Sequence, residues 1–285
     1  MFMQVVKTKN QLRTILNAER SKGRSVGLVP TMGALHQGHI SLVERCVQEN
    51  DCCVCSVFVN PTQFNDKNDL IKYPRRPEKD AEVLQKAGCN LLFMPDEQEM
   101  YPEEDTRLFY FGPLEEVMEG VYRKGHFNGV AQIVSKLFEA VQPDKAYFGQ
   151  KDFQQLVIVR KMVEQLNMKV QIVSCPIVRE ESGLAMSSRN ELLTAEQKRK
   201  AALISKYLFE SLTFVPKSRP AEIREFVLKG ISAEPMLRPD YFEIVDGTTL
   251  QSIHEWADSA CVVGCIAVYC GSVRLIDNIV YKNAD

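Results

Sequence analysis

Two of the four histidines in this 285-residue chain lie three residues apart in Pro30-Thr31-Met32-Gly33-Ala34-Leu35-His36-Gln37-Gly38-His39, between a short apolar run and an amphipathic stretch. A strand-to-helix turn of this kind is where open α/β sheets bind ligands, and the helix N-terminus offers unpaired N–H groups to a phosphate. Gly33 and Gly38 let the backbone turn tightly and approach a ligand closely. His36 and His39 would share one face of the first helical turn. The competing reading is a pair of solvent-facing or capping histidines. A metal site is weaker still, because no carboxylate or Cys nearby completes a ligand set. The common phosphate-cradling motifs are missing: no G-x-G-x-x-G occurs, and Gly33 to Gly38 has P-loop spacing but is followed by His39 instead of Lys. That disfavours a dehydrogenase or a Walker-type ATPase.

The elements that must position this turn can be read from periodicity. Up to about Pro176, short apolar runs at Ser25 to Val29, Cys52 to Val59, Asn90 to Met94, Lys145 to Phe148 and Val170 to Cys175 read as strands. Ile40 to Glu49, Pro77 to Ala87, Val130 to Val141 and Asp152 to Leu166 read as the helices between them. This alternation predicts an α/β fold with a doubly wound, Rossmann-like parallel sheet. After Pro176 the pattern changes. Thr194 and Gln197 form a capping box opening a helix to about Phe214, and a second helix runs from Ala221 to about Leu228. Strands follow at Tyr241 to Val245, Ala260 to Tyr269 and Val273 to Asp277, which predicts a smaller α+β C-terminal domain. The boundary is expected at Ile177/Val178, giving domains of residues 1–177 and 178–285, with polar Arg179 to Asn190 as the joining segment.

Composition is that of a soluble globular protein, 45% hydrophobic and 25% charged. A net charge of -2 argues against the basic field of a nucleic-acid binder, so any anion site must be local. The longest nearly apolar run, Ala260 to Cys270, is too short for the roughly 20 residues of a membrane span. No signal-peptide h-region forms before Lys7, Lys9 and Arg13, and nine cysteines fit a reducing cytoplasm better than a disulfide framework. Cys52, Cys53 and Cys55 invite a zinc or redox hypothesis. On a buried strand, however, Cys52 and Cys55 point to opposite faces, so core packing is the expectation.

The string PTMGALHQGH, with its H-x-G-H core, resembles the HIGH-type motif of the nucleotidyltransferase superfamily that includes the class I aminoacyl-tRNA synthetases, and is closer to the pantoate–β-alanine ligase family. Also similar to that family are Phe58-Val59-Asn60-Pro61-Thr62-Gln63-Phe64, Tyr73-Pro74-Arg75, Gly125-His126-Phe127, Gly149-Gln150-Lys151-Asp152-Phe153-Gln154-Gln155 and Gly183-Leu184-Ala185-Met186-Ser187-Ser188-Arg189-Asn190. In order and spacing these cover residues 25 to 190, with a weaker echo at Arg274-Leu275-Ile276-Asp277-Asn278.

The resemblance implies an enzyme that spends ATP to turn pantoate into an acyl-adenylate, releases pyrophosphate, and lets β-alanine attack the activated carbonyl. Such chemistry needs charge stabilisation and close positioning and no protein nucleophile. By resemblance, ATP would meet Met32, Gly33, Ala34, Leu35, His36, Gln37, Gly38 and His39, then Gly149, Gln150, Lys151 and Asp152, then Val178 and Met186, Ser187, Ser188 and Arg189. His36, His39, Lys151 and Arg189 would be catalytic, with His39 rather than His36 the proton donor to the departing group. A helix N-terminus disfavours imidazolium while a polyphosphate favours it, which leaves the protonation state open. Gln63 and Gln155 would bind pantoate, with Asn60 and Tyr73 in the same pocket, and Gln63 would also lie near β-alanine. Asp80 would help to hold Mg²⁺ through water. Residues 1–177 would bind nucleotide and pantoate, residues 178–285 would form a lid, and the family habit is a homodimer.

Two departures qualify the likeness. Gln150 stands where the family commonly has Glu, and Thr62 where it often has Met. The Met186 to Arg189 segment lacks the two lysines of its synthetase counterpart, and the resemblance implies that Arg189 takes over part of their charge, as is usual for the ligase family and unlike the synthetases. Two other readings compete: adenylation of a phosphorylated acceptor, and a non-catalytic ATP-sensing module. The Gln63 and Gln155 pair favours a small carboxylic acid over a phosphorylated acceptor, and a sensing module would not require His39 and Lys151 together.

Overall fold

In the computed structural model, which describes residues 3–65 and 67–283, the chain divides into two compact units. The first takes in the residues through Phe111 together with Tyr122–Gly149 and Ile158–Cys175; the second takes in Gly112–Val121, Gln150–Val157 and everything from Pro176.

Six strands of the first unit, Gln4–Val6 (β1), Val26–Thr31 (β2), Cys52–Val57 (β3), Leu91–Phe93 (β4), Lys145–Gly149 (β5) and Gln171–Cys175 (β6), form one parallel sheet in the order β1-β4-β3-β2-β5-β6. Strand order reverses at β2, which pairs with β3 on one side and β5 on the other, so the turn leaving β2 sits at the switch point. The expected cysteine packing is present: Cys52, Cys53 and Cys55 are buried in β3, and Cys46 and Cys89 join Cys53 and Cys55 in the core. Helix His126–Val141 buries 13 of its 16 residues, with Asn128, Lys136 and Glu139 the exceptions. Strand β1 and helix Lys9–Arg20 have no counterpart among the elements read from sequence. A three-residue strand shows no periodicity, and the helix buries only Leu12 and Leu16.

The segment 104–111, between the helices of this unit, has neither helix nor strand, yet its exposure alternates with period two. Asp105 anchors it. Its carboxylate accepts from Arg107 Nε at 2.9 Å and Nη2 at 2.7 Å, and Lys136 Nζ lies 3.2 Å away. The Arg107 guanidinium, helped by its backbone N–H and by Lys136, holds the Asp105 carboxyl well below the usual carboxylate range. A carboxyl depressed in the folded state stabilises above its unfolded value of about 3.9 and loses that contribution as pH falls toward the folded value. Asp105→Asn is therefore expected to lower the urea midpoint at pH 7 and to flatten its fall below about pH 4. Parallel pH profiles for variant and parent would contradict this.

In the second unit, Leu237–Asp246 (β7), Val262–Cys270 (β8) and Val273–Lys282 (β9) form an antiparallel sheet in that order. Helices Ala195–Ser211 and Pro220–Ser232 share a core with this sheet around Phe242, Ile244 and Ile266. Met118, Phe153, Val157 and Leu250 pack in another core with Tyr241, Val263 and Cys265. The capping box is as expected, with Thr194 Oγ1 accepting from Gln197 N and Gln197 Oε1 from Thr194 N. Strand β9 runs past the expected end at Asp277, because Asp277 and Asn278 are buried polar residues inside it. The single cut expected at 177/178 differs from the division found. The chain changes unit at Cys175/Pro176, and two earlier segments belong with the C-terminal sheet. Gln154 shows why: its amide donates to Leu114 O at 2.8 Å and Val117 O at 2.9 Å and accepts from Glu119 N at 2.9 Å, contacts that periodicity does not reveal.

Candidate active site

The histidine turn leaves β2 and enters helix Gln37–Glu49. His36 is the N-cap, in extended conformation, and its Nδ1 accepts from Gly38 N at 3.1 Å. Three residues on, His39 Nδ1 accepts from His36 N at 3.3 Å, completing a capping box built from two imidazoles whose ring centroids are 4.0 Å apart. The capping reading thus holds. Each Nδ1 accepts a backbone N–H, so the neutral ring carries its proton on Nε2, and this geometry selects one tautomer for both rings.

Asp80 fixes the turn that precedes the cap. Its carboxylate accepts from Ala34 N at 2.9 Å and Leu35 N at 2.8 Å, and the residue is only 2% exposed. Gly33 (φ 81°) and Ala34 (φ 50°) both occupy the left-handed region, and a Cβ on Gly33 would lie 2.9 Å from Asp80 Oδ2. Asp80, expected to help hold Mg²⁺ through water, is here a brace for the turn, each oxygen accepting one backbone N–H. Among the described residues no group of three His, Cys, Asp or Glu side chains is placed to hold a metal ion.

Gln63 ends a short 3₁₀ turn, Pro61–Gln63, after β3. Its Nε2 donates toward Met32 Sδ at 3.0 Å, which brings it to the histidine turn, and its Oε1 accepts from Asn60 Nδ2 at 3.2 Å. Asn60 was expected to contact pantoate, but it is 1% exposed and spent on protein groups. Its Nδ2 also donates to Gly129 O at 3.1 Å, and its Oδ1 accepts from Tyr101 OH at 2.7 Å. Burial pushes the Tyr101 hydroxyl pKa up, which keeps it a donor. Asn60 therefore orients Gln63. Two further residues of the first unit support the same turn. Buried His126 contacts Gln63 O through Nδ1 at 2.8 Å, and Gly129 lets helix His126–Val141 approach so closely that a Cβ there would lie 2.3 Å from Thr62 O. Tyr73 is buried edge-on against Phe64, with centroids 5.7 Å apart. The sequence singled out Gly125-His126-Phe127 without a task for it, and nothing in the pattern pointed to Tyr101.

In the second unit, Lys151 lies in the 3₁₀ turn Gln150–Asp152 that opens helix Phe153–Gln165. Its ammonium is 3.9 Å from Asp152 Oδ2. Gln155, one turn into the helix, is half-buried, and its amide makes no hydrogen bond among the described residues. The stretch from Val178 is a small hairpin and not a loose linker. Met186 N donates to Val178 O at 3.0 Å, Arg179 bridges to Ala185, and Gly183 (φ 89°) makes the turn. Ser187 then caps a 3₁₀ helix, Ser188–Leu192, through Arg189 N at 3.3 Å, and Asn190 Nδ2 closes back on Glu180 Oε1 at 2.8 Å and Ala185 O at 3.1 Å. Lys151 and Ser187 line one pocket with Leu184, Ala185, Asn190 and Asp277. Each unit thus assembles its own share of the expected residues: the histidine turn with Gln63 in the first, Lys151 with the Ser187 segment in the second.

Chemically, the first cluster offers imidazole and backbone donors at a helix start, and the second a mobile cation with hydroxyl donors. Both suit an extended anion. A family model described as pantoate-beta-alanine ligase matches residues 4–280. A pantothenate synthetase of Bacteroides thetaiotaomicron is 59% identical over 280 residues, spanning 98% of this chain and 99% of the relative. One from Porphyromonas gingivalis is 56% identical over 281 residues, spanning 99% and 100%. Among solved structures, the pantothenate synthetase of Thermus thermophilus is similar with a TM-score of 0.92 at 44% identity, covering 98% of this chain and 100% of its own. A pantoate-beta-alanine ligase of Francisella tularensis, complexed with beta-gamma ATP and beta-alanine, is similar with a TM-score of 0.82 at 32% identity, covering 98% of each chain.

Proposed function

The chain belongs to the pantoate-beta-alanine ligase family, and from that premise we propose that it condenses pantoate with β-alanine at the expense of ATP, through a pantoyl-adenylate, releasing AMP and pyrophosphate. The observation that carries the reading is the imidazole capping box at the start of helix Gln37–Glu49, which presents two Nε2–H groups at a helix N-terminus. Donors in this state stabilise phosphate charge, and His39 Nε2–H donates a hydrogen bond to the pyrophosphate oxygen as it leaves, keeping its proton. Lys151, Ser187, Ser188 and Arg189 add donors to the same anion, with Lys151 as the mobile charge.

Pantoate is read by the neutral amides of Gln63 and Gln155. An amide orients a carboxylate without the ion pairing that would blunt its attack on the α-phosphate. Gln63 also faces β-alanine, and Asn60 acts on both substrates only through Gln63. Mg²⁺ accompanies the nucleotide as its counter-ion, and no side chain is assigned to it. A cytoplasmic setting is supported by nine free thiols, eight of them buried.

Purified protein given ATP, Mg²⁺, pantoate and β-alanine is expected to form AMP, pyrophosphate and pantothenate in equal amounts. AMP without the amide, or no turnover, would refute the reading. A homodimer is part of the proposal, supported by segment 104–111, which presents Leu108 at 89% and Tyr110 at 72% exposure on alternate positions. Leu108→Asp with Tyr110→Asp is expected to shift the sedimentation mass from dimer to monomer. An unchanged dimer would place the interface elsewhere.

A further inference from the structure

Strand β9 carries a polar pair, Asp277 and Asn278, at 5% and 4% exposure, in the Arg274 to Asn278 motif to which the reaction gives no task. Adjacent residues on a strand face opposite ways, so one pair can address two neighbours. Asn278 Nδ2 donates to Gln150 O at 2.7 Å and to Lys151 O at 3.0 Å, which uses both amide hydrogens on the turn that carries Lys151. Asp277 accepts from Arg179 Nη1 at 2.6 Å and Nη2 at 2.9 Å in a bidentate pair, and Asp277 Oδ1 also accepts from Asn278 N at 2.8 Å. Arg179 stands at the base of the 178–186 hairpin and donates to Gly183 O at 3.2 Å.

We propose that Asp277 and Asn278 are positioning residues that register the Lys151 turn against the Ser187–Arg189 segment, so that two separate loops deliver their donors to one nucleotide. The inference rests on the ATP-dependent reading above, and it goes further by giving β9 a part in nucleotide binding. The geometry is specific. Two backbone carbonyls meet one amide, and a planar guanidinium meets one carboxylate, so small changes in side-chain chemistry cut the link while leaving strand β9 paired to β8. A substitution at Asn278 acts first on the Lys151 turn and one at Asp277 first on the hairpin, which makes the two separable.

Asn278→Asp puts a carboxylate oxygen where the amide faces two carbonyls. It is expected to weaken ATP binding by calorimetry, and to raise the KM for ATP, by about tenfold or more while the KM for β-alanine stays within about twofold. Backbone hydrogen exchange should quicken at 149–153 and not through the C-terminal sheet. Asp277→Asn, which keeps size but weakens the hold on Arg179, should quicken exchange at 179–190 instead. If Asn278→Asp does not fold, Asn278→Ser carries the same comparison. Wild-type ATP affinity in the folded variants, or equal loss for both substrates with global loosening, would overturn the proposal. A wild-type protein that binds ATP but makes no pantothenate, with ATP binding lost in the variants, would refute the reaction assigned above and leave this inference standing.

Discussion

His39→Ala is expected to lower kcat by about 10²–10³-fold, the usual cost of removing one preorganised donor from developing charge. The imidazole has two tasks, and the structure separates them. Nδ1 caps the helix by accepting His36 N, and Nε2 carries the proton for chemistry. His39→Asn retains an acceptor near the Nδ1 position and loses the Nε2–H. It is expected to match His39→Ala in kcat, while only the alanine variant shows the loss of about 1 kcal/mol that an emptied cap brings. Steady-state kinetics and urea midpoints on the two variants test this together. Lys151→Ala should lose rate on a similar scale with a raised KM for ATP, because a mobile charge serves ground state and transition state alike. Near-normal rates in the His39 and Lys151 variants would refute the roles assigned.

The largest stability effect is expected at Asp80, far in sequence from the turn that it holds. Asp80→Ala leaves Ala34 N and Leu35 N without their carboxylate, in a turn where Gly33 and Ala34 hold positive φ. Two hydrogen bonds to a charged group, lost from a buried site, should cost about 2–5 kcal/mol in urea unfolding. Asp80→Asn is no neutral exchange, since its NH₂ meets an N–H donor where an oxygen had accepted. Both variants should lose turnover with the histidines intact, because the helix start that presents them shifts. A metal role would show differently, as partial recovery of Asp80→Asn by excess Mg²⁺. No recovery is expected, and recovery would give Asp80 a metal role beside its hold on the turn.

Periodic burial was legible along the chain. The five strands of the parallel sheet read from sequence lie where their apolar runs placed them, and the helices between them start or end within a few residues of expectation. The ordered motifs carried the family, because motif order and spacing survive in one dimension. What the sequence did not reveal shares one cause. The hold of Asp80 on the histidine turn, the hold of Asn60 on Gln63, the hairpin within Arg179 to Asn190 and the buried bonds of Asp277 and Asn278 all lay outside the pattern. Each involves a polar residue or segment whose meaning depends on a partner distant in sequence: Ala34 and Leu35 for Asp80, Gly129 and Tyr101 for Asn60, Asp277 for Arg179, Gln150 and Lys151 for Asn278.

The family, the α/β class and the residues of the histidine turn thus follow from the order of amino acids, since apolar periodicity and short motifs are local properties. Tertiary structure decided which polar residues face chemistry and which brace it. A buried hydrogen bond is satisfied in space: the same carboxylate or amide that would be solvated at the surface becomes a brace once folding brings a backbone donor or acceptor within about 3 Å of it.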